Sequence, residues 1–127
     1  MAIISSTESL KMNSKLKPIE IAIIQEIVNE HERDFPSLKF YFPQLNVLRR
    51  ESTGVGFYVN FIGANDIRGN CVDVLVSSQK ALMIKGFQHE VTYVLVVSDG
   101  KFNCLEIVTN GDDFFDKEIE FYEFELI

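Results

Sequence analysis

His89, Glu106 and Arg50 are the residues of this chain from which acid–base chemistry would be built. An imidazole beside an orienting carboxylate, here Glu106 or Glu51, moves protons near neutral pH. Arg50 would hold an anionic group. Together they define one reading, a small hydrolase or ligand-binding domain working in a pocket beside a sheet. The spacing alone does not bring the three together. His31, the other histidine, falls on a helical face and is expected to be packed or half-exposed.

Two further patterns have the right residue types and the wrong context. Thr53-Gly54-Val55-Gly56 has the look of a phosphate loop, but such a loop must open a helix, and here a β-rich run follows. Glycine there is expected to mark a bulge, a bend or a close backbone approach. Asn110, Asp112, Asp113 and Asp116 cluster oxygen ligands, yet they neither alternate nor end on a spaced glutamate as a calcium loop does. They are expected to form a solvated turn, so no metal and no cofactor is assigned.

The segment from Asp112 to Glu123, DDFFDKEIEFYE, mixes carboxylates with aromatic rings. It reads in two ways. Its charges can guard an edge strand against edge-to-edge association. Alternatively it is a docking surface on which rings anchor a basic partner and carboxylates steer it in. On the second reading the contact residues are Asp112, Asp113, Phe115, Asp116, Glu118, Glu120, Tyr122 and Glu123.

Charge supports a basic protein as that partner. Net charge is −7, with residues 1–50 near +1 and residues 51–127 near −8. The acidic end repels phosphate backbones, which argues against nucleic acid. No run approaches the roughly 18 apolar residues of a membrane helix. The first twelve residues lack a basic start followed by an apolar stretch, so a signal peptide is not expected and a cytoplasmic location is. Cys71 and Cys104 form no Cys-x-x-Cys pair and are expected to be buried free thiols, a disulfide being the alternative.

The elements that must position these groups follow from periodicity. The chain has 127 residues, a length that suits one domain, with residues 1–15 expected as a loose arm. Residues 16–34 are expected to be helical, with Ile21, Ile24, Ile27, Val28 and His31 on one face and Glu20, Glu26, Asn29, Glu30 and Arg33 on the polar side. Residues 35–46 are a connector, either a short edge strand or a packed loop. Val47 to Ile62 is expected as a long strand, opened by Arg49-Arg50-Glu51, with one arginine exposed and the other paired to an acid. Cys71 to Val76 is a short strand, and residues 79–84 are a linker or another strand. Tyr93 to Val97 is apolar without alternation and reads as a central strand. Asp99-Gly100 after it is a strong hairpin signal. A two-residue turn there would set Val97 opposite Phe102 and Tyr93 opposite Glu106, and is favoured because it gives Phe102 an apolar partner; a turn centred on Ser98 and Asp99 with Gly100 as a bulge would set Val97 opposite Lys101. Residues 118–127 are expected as a last strand, with its apolar face switching near Phe121 and Tyr122; a C-terminal helix is the alternative, disfavoured by the Phe, Tyr and Ile at its non-acidic positions. The order, one helix and then strands, predicts an α+β fold: a mostly antiparallel sheet with the N-terminal amphipathic helix packed on one face.

The run Arg50 to Tyr58 (RESTGVGFY), the Asp99-Gly100 hairpin, Leu105-Glu106 and the Gly111-Asp112 loop resemble a group of small bacterial α+β proteins. Some of that group look like immunity proteins paired with secreted toxins. The resemblance implies a non-catalytic partner of a basic toxin domain. A third reading is a structural subunit that pairs through its C-terminal strand.

Overall fold

The computed structural model describes residues 16–62, 72–111, 113, 119 and 121–127. The expected arm, Cys71, and Asp112, Phe115, Asp116, Glu118 and Glu120 of the proposed contact set lie outside the described residues.

Helix α1 spans Pro18–Glu30. Pro18 occupies its first turn, where a missing N–H costs nothing. The Lys17 N–H donates to Glu20 Oε1 at 2.8 Å, satisfying a donor that the first turn would otherwise leave open. Ile19, Ile23, Ile24, Ile27 and Val28 are buried. So is Glu20, which the periodicity placed on the polar side. The helix also ends four residues earlier than expected. Residues 35–46 are neither strand nor loop: Ser37–Tyr41 is a short helix, α2, followed by a 3-10 turn at Phe42–Gln44. Both prolines of this connector, Pro36 and Pro43, sit at helical starts, where proline is well tolerated.

The run expected as one long strand is a hairpin. Strands β1 (Val47–Ser52) and β2 (Gly56–Phe61) pair antiparallel around a turn at residues 53–55. Gly54 takes φ +88° in that turn, a conformation that side chains disfavour. Gly56 serves a different purpose. A Cβ there would lie 2.0 Å from the Ile107 carbonyl oxygen, so the β2–β6 pairing needs a glycine. The remaining strands are β3 (Val72–Leu75), β4 (Lys80–Ile84), β5 (Thr92–Ser98), β6 (Lys101–Val108) and β7 (Tyr122–Leu126).

Five strands form a sheet in the order β1-β2-β6-β5-β3, and β4 pairs with β7 in a separate ribbon. Every pairing among the described residues is antiparallel. With its two short helices the chain is α+β. β5 lies inside the sheet, as its apolar run predicts, although β6 holds the middle position. Tyr93, Leu95 and Val97 are buried, while Val94 and Val96 are half-covered.

The Asp99-Gly100 turn has φ of 52° and 76°, the two positive values a two-residue hairpin of this kind requires. Val97 does face Phe102. Beyond that pair the register shifts, because Asn103 bulges out of β6 and donates a hydrogen bond to Ser98 Oγ at 3.2 Å. Tyr93 therefore faces Ile107, and Glu106 faces Val94. The physical reason is burial. Phe102 and Leu105 have opposite parity, and one inserted residue turns both, with Ile107, into the core.

A second bulge, at Leu48, has the same logic. Val47 faces Phe61, then the register skips, and Arg50 rather than Arg49 shares the buried face with Val59. There Arg50 meets Glu20 as a two-point pair, Nε to Oε2 at 3.0 Å and Nη2 to Oε1 at 2.6 Å. Arg49 stays exposed and contacts Glu51 at 2.7 Å. One buried cluster contains Ile19, Ile23, Ile24, Ile27 and Val28 of α1, Val59 and Phe61 of β2, Leu95 of β5, Leu105 and Ile107 of β6, and Leu82 and Ile84 of β4.

Removing one partner of a buried ion pair strands the other without water. Arg50→Ala is expected to lower unfolding free energy in urea by about 3–5 kcal/mol, against less than about 1 kcal/mol for Arg49→Ala. Replacing both partners, Glu20→Leu with Arg50→Met, should recover most of the loss.

Candidate functional site

The three groups of the acid–base reading do not converge. In paired strands, directly opposed residues share a face and successive residues alternate. Arg50, Val59 and Leu105 form one cross-strand row, on the buried side. Glu51, Tyr58 and Glu106 form the neighbouring row, on the other side. Arg50 and Glu106 are thus separated by the sheet. His89 lies elsewhere, exposed, with its ring against Gly111: a Cβ on Gly111 would fall 2.5 Å from His89 Cδ2. His31 is half-exposed, and its Nε2 lies 2.8 Å from the Val76 carbonyl oxygen.

Asn110 and Asp113 both bond to the segment leading into β5. Asn110 Nδ2 donates to the Glu90 carbonyl at 2.7 Å and to Thr92 Oγ1 at 3.0 Å. The Asp113 carboxylate accepts the Gln88 N–H at 3.0 and 3.1 Å and the His89 N–H at 2.9 Å. Both of its oxygens are occupied by these bonds. Among the described residues, no group of three His, Cys, Asp or Glu side chains is placed to hold a metal ion.

Tyr58 and Cys104 sit around Glu106 on the sheet side away from the core. A hydrogen bond to Glu106 raises the Tyr58 phenol above its ordinary range, and the carboxylate's charge adds to this. Burial, followed by the charge of Glu106, raises the Cys104 thiol. A thiol held protonated is a poor nucleophile.

The acid–aromatic reading falls on the β4–β7 ribbon. There Tyr122, Glu123, Phe124 and Glu125 face Ile84, Met83, Leu82 and Ala81. Alternation along β7 divides its residues between two sides. Tyr122 and Phe124 are half-buried and pack against the core. The Phe124 ring meets Tyr122 and Tyr93 edge-on, at 6.3 and 6.0 Å. Phe121, Glu123 and Glu125 have the opposite parity and are exposed. Phe121 is 61% exposed, and Lys85 Nζ lies 5.0 Å from its ring centre. Lys85 thus caps one end of the row. Ile127, 83% exposed, ends the other. An open groove of about 350 Å³ lies at the Phe121 end of the row, lined by Met83, Ile84, Lys85, Phe121, Tyr122 and Glu123. Neither Glu123 nor Glu125 forms an ion pair with any described residue.

Of the expected contact residues that are described, Glu123 faces outward, Tyr122 turns inward and Asp113 bonds to the segment leading into β5. Two outward residues, Phe121 and Glu125, were missing from the expected set. Their signal was parity with Glu123 in a strand, obscured because the expected strand began too early. Comparison with protein-family models, curated proteins and solved structures finds no match for the chain.

Alkylation of Cys104 by iodoacetamide, followed by peptide mass mapping, should rise with pH to a midpoint above the ordinary thiol range. Glu106→Gln should bring that midpoint down, since it removes a negative charge that opposes the thiolate.

Proposed function

We propose that this chain is a non-catalytic binding module that docks a basic protein on the outward row of its β4–β7 ribbon. On this reading α1 covers the buried face of the five-stranded sheet, and the ribbon is left as the interaction surface. The observation that carries the reading is the row itself: an exposed ring at Phe121, two carboxylates at Glu123 and Glu125 without ion-pair partners among the described residues, and an apolar end at Ile127. Rings supply buried area on binding, and carboxylates speed encounter with a cationic surface. The opposed placement of Arg50 and Glu106 removes support from the hydrolase reading.

The resemblance to immunity proteins names the first partner to try, a basic toxin domain in the same cytoplasm. Co-expression with the toxin-like product of an adjacent gene should rescue growth and yield a complex whose association slows as salt rises. Glu123→Lys with Glu125→Lys should weaken that complex roughly 10- to 100-fold, about 1.4–2.7 kcal/mol. Asp34→Lys with Asp73→Lys changes net charge equally at exposed positions off the ribbon and should leave affinity within about threefold. Equal losses from the two pairs, or no rescue and no complex, would count against the proposal.

A further inference from the structure

Among the described residues, one edge of β7 is paired with β4 and the other with no strand. In an antiparallel pair, opposed residues alternate between those that exchange backbone hydrogen bonds and those whose N–H and C=O point away. The Lys85 N–H donates to the Phe121 carbonyl at 3.0 Å, and the Ile127 N–H donates to the Gln79 carbonyl at 2.9 Å. Residues 121, 123, 125 and 127 therefore bond toward β4. On β4 the phase agrees: the Leu82 carbonyl points away from β7 and accepts the Val91 N–H at 2.9 Å. It follows that the N–H and C=O groups of Tyr122, Phe124 and Leu126 project from the other edge of β7. No described strand pairs there.

An edge of this kind is a template for one more strand. We infer that the ribbon binds its partner by strand addition along Tyr122, Phe124 and Leu126, and that the added segment is an extended one with basic residues at alternate positions. This rests on the reading of the ribbon as the docking surface. The two carboxylates select the occupant. Glu123 and Glu125 stand on one side of β7, roughly 7 Å apart, the two-residue repeat of a strand. Lysines or arginines at every second position of an added strand would lie beside them. The intervening residues would lie on the side of Tyr122 and Phe124 and would be apolar. A second copy of this chain fits poorly, because antiparallel addition centred on Phe124 would set glutamate directly across from glutamate. The same carboxylates that welcome a basic strand keep the edge from pairing with itself.

The test uses the full chain and three short acetylated peptides in fluorescence anisotropy. One is Lys-Val-Lys-Val-Lys-Val-Lys. The second carries N-methyl groups on its valines and the third on its lysines. The first should bind, and high salt should weaken it. In antiparallel addition the valines oppose Tyr122 and Phe124 and make the backbone bonds, so methylating valine should cut affinity at least tenfold while methylating lysine leaves it within about threefold. Parallel addition reverses the two results and supports the inference equally. Equal binding by all three peptides overturns strand addition while leaving the carboxylate row as a docking surface. No binding by the first peptide also overturns it, and the double charge reversal measured on the protein complex then decides separately whether the surface reading survives.

Discussion

Three glutamates on α1 hold the rest of the molecule in place. Glu20 grips Arg50 of β1 with both carboxylate oxygens and is fully buried. Glu26 meets Lys80, the first residue of β4, at 3.1 Å. Glu30 accepts hydrogen bonds from the hydroxyls of Ser77 and Ser78 and from the Ser78 N–H, in the turn between β3 and β4. The contributions differ. The Glu26–Lys80 contact is partly exposed and worth little by itself. In the Glu20–Arg50 pair the carboxylate is fully buried and the arginine partly so, and losing Arg50 leaves a carboxylate that water cannot reach. Acting together they tie one helix to an edge strand of the sheet and to the start of the ribbon.

The ribbon depends on that attachment. A two-stranded antiparallel pair is marginal alone and needs a packed face. Here Leu82 and Ile84 enter the buried cluster, the Leu82–Val91 bridge joins β4 to the chain entering β5, and the Tyr93 hydroxyl donates to the Lys80 carbonyl at 3.0 Å. With one side of the ribbon committed inward, strand alternation presents Phe121, Glu123 and Glu125 on the other. The surface is thus a consequence of how the core is satisfied, with no separate device needed to build it.

Much of this was legible from residue order. The Asp99-Gly100 hairpin, the β5 run and a strand near the C-terminus follow from turn chemistry and periodicity. What escaped was set by contacts distant in sequence. Glu20 belongs to a polar face by helical spacing and is buried only because a bulge at Leu48 turns Arg50 toward it. Asn103 moves Glu106 by one position because Phe102, Leu105 and Ile107 must all reach the core. Gly54 and Gly56 were recognisable as punctuation, but the hairpin they create within Val47–Ile62 needed β6 alongside to be seen. At the site, the rings and acids were visible as a mixture. Which of them face outward was decided by the register of β7 against β4, and a single strand does not encode that register.

The central claim is that β7 is bonded to β4 on one edge and to no described strand on the other. Native-state amide hydrogen exchange of the free protein reads this residue by residue. The Glu123 and Glu125 amides should exchange slowly, and the Tyr122, Phe124 and Leu126 amides should exchange at least tenfold faster, in strict alternation. Uniform protection along the five residues, or the opposite alternation, would show that the edge is already paired or that the register differs, and the docking surface argued from it would not exist.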